Sequence, residues 1–279
     1  MGLENKEVLK DVNEARNIPN NSNKHSYGRV YQWSNESMKA LFRNFSVKDK
    51  DVLTVVGSGD QVFGSLYNGA KSVDTFDVNK LAIYYYFLRK WIIQNFGVVY
   101  PDKDFLKNRY RDIVKLVFSL KPDNDLERKA SLFWMHYLIG GNNPLLFHPG
   151  TNRQESDFAK DIEGLRKSIK PVGFKLQDIT EEYEGSKQYD VVILSNIMEH
   201  IEDDFKYNAV RSNIEGLLND GGICVCSHLL YDSKQDDWYK SEIDSMTKGS
   251  LKHEEFGDWY YYNGVDYKQE VGYVYRKRW

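Results

Sequence analysis

From residue 50 onward the chain alternates short apolar runs with longer amphipathic stretches, and the boundaries between them fall on Gly, Asn and Asp. Val52-Leu-Thr-Val-Val56 is continuous and β-branched, which predicts a strand buried on both faces that opens into the turn Gly57-Ser-Gly59. Asp60 to Asn68 predicts a helix closed by Gly69, Ser72–Phe76 a second strand ending at Asp77, and Asn79 to Asn95 a long helix. Strand, glycine turn, helix, strand and acid make a βαβ unit.

The pattern resumes with strands at Val172–Leu176, followed by Asp178, and at Tyr189-Asp-Val-Val-Ile-Leu-Ser195. A helix at Phe205–Leu218, a strand at Gly222–Ser227 and a helix at Trp238–Met246 come next. Glu255–Tyr262 and Glu270–Arg276 alternate polar and aromatic residues about Asn263-Gly264, which predicts an antiparallel hairpin. The fold class that results is α/β, with a mixed sheet.

Three segments stand outside this alternation. Residues 1–26 are polar, with a turn-rich patch over Asn17–Asn23, and read as a frayed or docking arm. Ser34 can cap an amphipathic helix carrying Met38, Leu41 and Phe42. Residues 97–150 hold helical patterns at Lys103–Leu120 and Leu126–Ile139 and a Gly140–Pro144 turn, and a further helix is expected at Asp157–Ser168. The division that follows is an N-terminal helical arm over 1–49 and a ligand-binding domain over 50–279 with a helical insertion, or cap, at 97–150.

Composition narrows the classes. At 279 residues, 41% hydrophobic and 28% charged, the chain is too apolar to be disordered, and its mean hydropathy of −0.63 is too polar for a membrane protein. A net charge of −3 gives no global basic field, so nucleic acid is not an expected partner. No apolar stretch follows the N-terminus, so neither a leader nor a stable membrane insertion is expected, and the two cysteines, Cys224 and Cys226, form no disulfide framework. A cytoplasmic location is the expectation. One residue apart on a strand, the cysteines should share a face as core thiols.

The chemistry lies at the ends of the first two strands. Glycines let a ligand approach the backbone closely, and the free N–H groups of the next helix favour polar or anionic groups. The dinucleotide fingerprint needs a third glycine where Val62 stands; Gly64 is two residues too late. Asp77 ends the second strand, where it can accept hydrogen bonds from a ribose diol, although it could also cap the helix near Asn79. Loop and acid together point to a nucleoside without requiring a diphosphate.

Val52–Ile93 and Tyr189–Ile201 resemble the class I S-adenosylmethionine-dependent methyltransferases. The resemblance implies a Rossmann-like seven-stranded mixed sheet with an antiparallel C-terminal hairpin, and S-adenosyl-L-methionine as cofactor. Gly57, Ser58, Gly59 and Asp60 then match the cofactor loop, Asp77 the ribose acid and Asp178 the acid beside the adenine amino group. Ser195, Asn196 and Glu199, at and after the fourth-strand motif, match positions that face cofactor and acceptor. Gly221-Gly222 matches the turn into the fifth strand. The chain departs from the family in having 101 residues between Asp77 and Asp178, and in lacking an acid before Gly57. Leu53–Gln61 with Gly69–Asn79 is also similar to the aminocarboxypropyl transferases of betaine-lipid synthesis, which share the fold but move the amino-acid arm of the cofactor.

The implied activity is methyl transfer to a small molecule or a lipid head group. The alternatives are 3-amino-3-carboxypropyl transfer and a non-catalytic nucleoside-binding regulatory module. Asn196, Glu199 and His200 are the candidate catalytic residues, the last two as the base that a hydroxyl or protonated-amine acceptor would need. No metal is expected: Glu199, His200 and His228 resemble a carboxylate–imidazole site, but Asn196 stands where the family with that site has Glu. Tyr84–Phe87 with Trp91, and Trp259–Tyr262, read as packing aromatics. The sequence leaves the acceptor and the oligomeric state open.

Overall fold

The computed structural model describes residues 3–17, 30–31, 34, 38–139, 147–148, 156–183, 185–201, 204–230, 244–249, 251–255, 260–261 and 269–278. Of these, 3–5, 31, 40, 103, 147–148, 199–200, 228–230, 253–255, 260–261 and 269–273 are described by their backbone alone. Helix α1 (Leu3–Arg16), strand β1 (Val30–Tyr31) and helix α2 (Met38–Asn44) precede the βαβ unit β2 (Asp51–Val55), α3 (Asp60–Tyr67), β3 (Ser72–Asp77) and α4 (Lys80–Phe96). Helices α5 (Lys103–Asn108), α6 (Tyr110–Ser119) and α7 (Asp125–Ile139) and strand β4 (Phe147–His148) form the excursion. Then come α8 (Asp157–Lys160), α9 (Ile162–Ser168), β5 (Gly173–Leu176), β6 (Tyr189–Ser195), α10 (Asp204–Leu217), β7 (Leu218–Leu230), β8 (Leu251–Glu255), β9 (Tyr260–Tyr261) and β10 (Gln269–Lys277).

The main sheet runs β5-β3-β2-β6-β7-β10-β8, with the two-residue β9 beside β10. β5, β3, β2, β6 and β7 are mutually parallel, and β10 enters antiparallel between β7 and β8. This is a seven-stranded mixed sheet with an antiparallel C-terminal strand, as the sequence resemblance implies. Alternation along each strand separates two cores: Val52, Val191, Ile193 and Val225 face α3, α4 and the excursion, while Leu53, Val192, Leu194, Cys224 and Cys226 face α10. Both cysteines are therefore buried thiols on one face, as their spacing requires.

Several elements differ from the sequence reading. The stretch over Lys103–Leu120 is two helices, because Asp102 caps α5 through the Phe105 amide and Arg109 leaves helical geometry. Asp161 likewise divides α8 from α9 and caps the second through the Gly164 amide. β7 runs longer than Gly222–Ser227, and of the strand expected at Glu255–Tyr262 the described residues are Glu255, in β8, and Tyr260–Tyr261, which form β9. The Asn263-Gly264 turn and residues 238–243 lie outside the described residues. The N-terminal arm docks: Val8, Val12 and Ala15 of α1 are buried, and Lys80 and Lys129 both bind Glu7, holding its carboxyl down to about 2.

α7 lies along α4, and the contact is organised by one buried carboxylate. Glu127 Oε1 accepts from Trp91 Nε1 at 3.0 Å and Lys90 Nζ at 2.9 Å, while Oε2 accepts from the Asp123 amide at 3.1 Å. Burial pushes this carboxyl up, but the Lys90 and Trp91 bonds outweigh it and the net shift is downward. Glu127→Ala leaves those donors buried without an acceptor and should cost about 2–4 kcal/mol. Thermal unfolding followed by circular dichroism should show a melting point lower by roughly 5–15 °C; an unchanged midpoint would mean that Glu127 does not hold α7 on α4.

Candidate functional site

β2, β3, β5 and β6 all end on the same side of the sheet, and the predicted loop and acids gather there. Gly57 and Gly59 have φ of +50° and +92°, left-handed values that side chains resist. Among the described residues a Cβ built on Gly57 meets nothing within 4 Å, so they leave open space in front of the turn's first glycine. Gly64, the late third glycine, has another purpose: a Cβ there would come within 2.2 Å of the Phe42 ring, so α2 packs directly on α3.

Asp77 is held against this turn. Its Oδ2 accepts from the Gly57 amide at 2.9 Å and its Oδ1 from the Asn79 amide at 2.8 Å. The Val78 amide is a third backbone donor to this carboxylate. Burial drives the carboxyl up to about 6, against the backbone hydrogen bonds that lower it. Asp77 does not cap α4; Asn79 does, its side chain accepting from the Leu81 amide at 3.0 Å. β5 continues beside β3, with the Gln177 amide on the Asp77 carbonyl, and brings Asp178 to the neighbouring strand end. Asp178 Oδ1 is engaged by the Thr180 amide and hydroxyl at 2.8 and 2.9 Å.

β6 ends in a left-handed residue that is not glycine: Ser195 has φ +58° and is buried. Such a conformation in a side-chain-bearing residue at a strand end is characteristic of functional sites. It turns the chain into Asn196 and the single 3₁₀ turn Ile197–His200. Gln61 Nε2 donates to Ser195 Oγ at 3.1 Å, joining the glycine-loop helix to this second turn. Glu199 and His200 have backbone positions only, and the side chains of these two and of His228 lie outside the described residues. Among the described residues no group of His, Cys, Asp and Glu forms a metal site.

The sequence reading missed the group beneath the loop. Arg89 of α4 is 0% exposed; its Nη1 lies 2.6 Å from the Ser58 carbonyl and 2.8 Å from Asp60 Oδ1, and its Nη2 donates to the Val99 carbonyl at 2.9 Å. The rings of Phe63, Tyr85 and Tyr100 surround the guanidinium at 5.1–5.9 Å. Burial, the largest single effect, would pull its pKa down, but the Asp60 charge and hydrogen bond together with the Tyr85 and Tyr100 groups outweigh it and the net shift is upward. Asp60 Oδ2 accepts from the Ser34 amide at 2.6 Å, so its carboxylate is turned into the protein. Ser34 thus meets the loop, while α2 is described from Met38. The only sequence signal for Arg89 was a cation within an otherwise apolar helix face. The Tyr84–Phe87 aromatics and Trp91 are buried packing residues, Tyr86 stacking on Phe63 at 4.9 Å; Trp259 and Tyr262 lie outside the described residues.

No protein-family model and no curated protein matches this sequence. Among solved structures, the chain is similar to the N-methyltransferase NodS of Bradyrhizobium japonicum in complex with S-adenosyl-L-homocysteine, at 11% identity and a TM-score of 0.47 over 99% of each chain. It is also similar to a TehB-like SAM-dependent methyltransferase of Corynebacterium glutamicum, at 11% identity and TM-score 0.45 over 98% of this chain and 99% of that one. A SAM-dependent methyltransferase of Methanosarcina mazei follows, at 10% identity and TM-score 0.44 over 87% and 99%.

The Arg89–Asp60 pair makes a specific energetic demand. Arg89→Met strands a buried carboxylate and Asp60→Asn strands a buried guanidinium, each costing about 3–5 kcal/mol. The double variant removes both charges and should lose clearly less than the sum of the two. Urea unfolding of the three variants measures the coupling; additive losses would show that the two charges do not depend on each other.

Proposed function

We propose that the protein is an S-adenosyl-L-methionine-dependent transferase that moves the cofactor's methyl group to a small-molecule or lipid-head-group acceptor. The observation that carries this reading is Asp77, whose two carboxylate oxygens are pre-oriented by the Gly57 and Asn79 amides beside the open face of a left-handed glycine turn. That arrangement suits a ribose hydroxyl: the turn lets a ligand reach the backbone, and an ionised carboxylate accepts hydrogen bonds from hydroxyl donors. Asp178 at the next strand end is suited to an adenine amino group. Ser195 and Asn196, carried by the strained turn after β6, form the side toward the acceptor.

When bound, the cofactor supplies a sulfonium that makes its methyl electrophilic. The chain's own residues then hold the two reactants in line and keep water out. Asp77 fixes the ribose, Gly57 to Gly59 border the methionine arm, and Arg89 keeps that loop in place through the Ser58 carbonyl. Glu199 and His200 are the groups assigned to take a proton from an acceptor that must lose one. The insertion at 97–150 is assigned to the acceptor side.

Isothermal titration calorimetry with S-adenosyl-L-methionine should give a Kd in the micromolar range at pH 8, and Asp77→Ala should weaken it at least about thirtyfold, the equivalent of one hydrogen bond to a charged group. Hydroxyl donors favour the ionised carboxylate, so binding lowers the pKa of Asp77 from about 6. Affinity should therefore be constant above pH 7 and fall below pH 6 by up to about tenfold per unit. Asp77→Asn should abolish that slope; no binding by the wild type, or a slope unchanged in Asp77→Asn, would overturn the assignment. Product analysis separates the chemistries: S-adenosylhomocysteine marks methyl transfer, methylthioadenosine marks aminocarboxypropyl transfer, and binding without either product marks a regulatory module.

A further inference from the structure

The excursion between the third and fifth strands carries a charge opposite to that of the chain. Residues 103–121 contain six Lys and Arg against two Asp, a net +4, whereas the whole protein carries −3. The cations are arranged by the helix. On α6, Ile113 and Val117 are buried against the core, so Arg111, Lys115 and Phe118, at spacings of four and three, share the outward face. Lys107 before this face and Lys121 after it are also exposed. Asp112, at the edge of the face, is engaged by Arg109 at 3.2 Å. Among the described residues, Lys107, Arg111, Lys115 and Lys121 make no ion pair.

One large apolar side chain stands exposed among these cations, and others are exposed where the start of α6 meets the end of α7. Phe118 is 56% exposed within the stripe, and Ile139, at the end of α7, is also 56% exposed. The Tyr110 hydroxyl donates to the Leu138 carbonyl, which brings the start of α6 and the end of α7 together, and Tyr110 is itself partly exposed. Aromatic and aliphatic tips rising from unpaired cations match the acyl–headgroup boundary of a bilayer, where ammonium and guanidinium groups meet lipid phosphates. A nucleic acid would use the cations but has no place for Ile139, which offers neither a stacking face nor a hydrogen bond. No helix among the described residues is long and apolar enough to cross a membrane, so the contact would lie along the surface.

We propose that the outer face of α6, with Phe118 and Ile139, is a docking surface for an anionic membrane. It extends the functional reading without depending on it, since docking needs neither cofactor nor turnover. The test is co-sedimentation of the full chain with sucrose-loaded vesicles, of phosphatidylcholine alone or with about 30% phosphatidylglycerol, in about 50 mM salt. Binding is expected to the anionic vesicles only, and to disappear at about 500 mM salt. Arg111→Glu with Lys115→Glu should reduce the partition coefficient more than tenfold, and Phe118→Ser should reduce it several-fold with no change in charge; both variants alter exposed side chains and should keep the wild-type melting point. No association of the wild type with anionic vesicles, or equal association of the charge-reversed variant, overturns the proposal. So does a single-stranded RNA oligonucleotide that binds through Arg111 and Lys115 while vesicles do not. Calorimetry with the cofactor on the same variants keeps the two readings apart, since neither change touches the nucleoside site.

Discussion

A buried guanidinium is tolerable only if its charge and its donors are matched, and at this end of the sheet the matching partners come from three parts of the chain. Arg89 takes the Ser58 carbonyl from the glycine loop, the Asp60 carboxylate from the start of α3 and the Val99 carbonyl from the beginning of the excursion. Asp60 in turn receives the Ser34 amide from the N-terminal segment. The loop conformation is thus set from below, by one cation in an apolar and aromatic surround, and its outer side stays available. A loop held in this way is preorganised before a ligand arrives, which lowers the ordering cost of binding.

The two turns at the strand ends depend on each other for a similar reason. Ser195 occupies a left-handed conformation that costs of order 1 kcal/mol or more, and such strain persists only where neighbours over-determine it. Its hydroxyl accepts from Gln61, whose helix begins at the glycine turn, and its backbone is set in the register shift between β6 and β7. On the opposite face, the link from β5 to β6 contains no helix among its described residues. It is pinned by Asn213 of α10, whose amide group donates to the Ile179 and Glu181 carbonyls while its oxygen accepts from the Tyr183 amide. Asp178 lies within one residue of that clamp.

Much of this was legible in the residues, and the division follows from the range of the forces involved. Strand β6 is bounded as its apolar run predicts and β2 lies within a residue of its own, because burial on two faces writes an unbroken apolar pattern, while β3 and the edge strand β5 lie within a residue of theirs on a weaker, partly polar pattern. The left-handed glycines and the placement of Asp77 were legible too, since local backbone geometry decides them. Helix breaks at Arg109 and Asp161 were not, because the helical periodicity continues through both and only the second is marked by a side-chain cap. Arg89 was invisible for a different reason: what makes it important is three carbonyl or carboxylate partners distributed along the chain, and no spacing rule connects them. Asp60 was legible as part of the loop, but its direction, toward Arg89 and Ser34, is a tertiary fact.

One small element ties the remaining pieces together. β1 and β4 form a two-stranded parallel ladder of only two residue pairs, Val30 with Phe147 and Tyr31 with His148, and six helices and two sheet strands lie between them in the chain. So short a ladder has no stability of its own and exists only when everything between its strands is already in place. It makes the N-terminal segment and the far end of the excursion a single unit. A change in the length of either would be felt by the other, so diversification of the excursion in proteins of this build would have to proceed in paired steps.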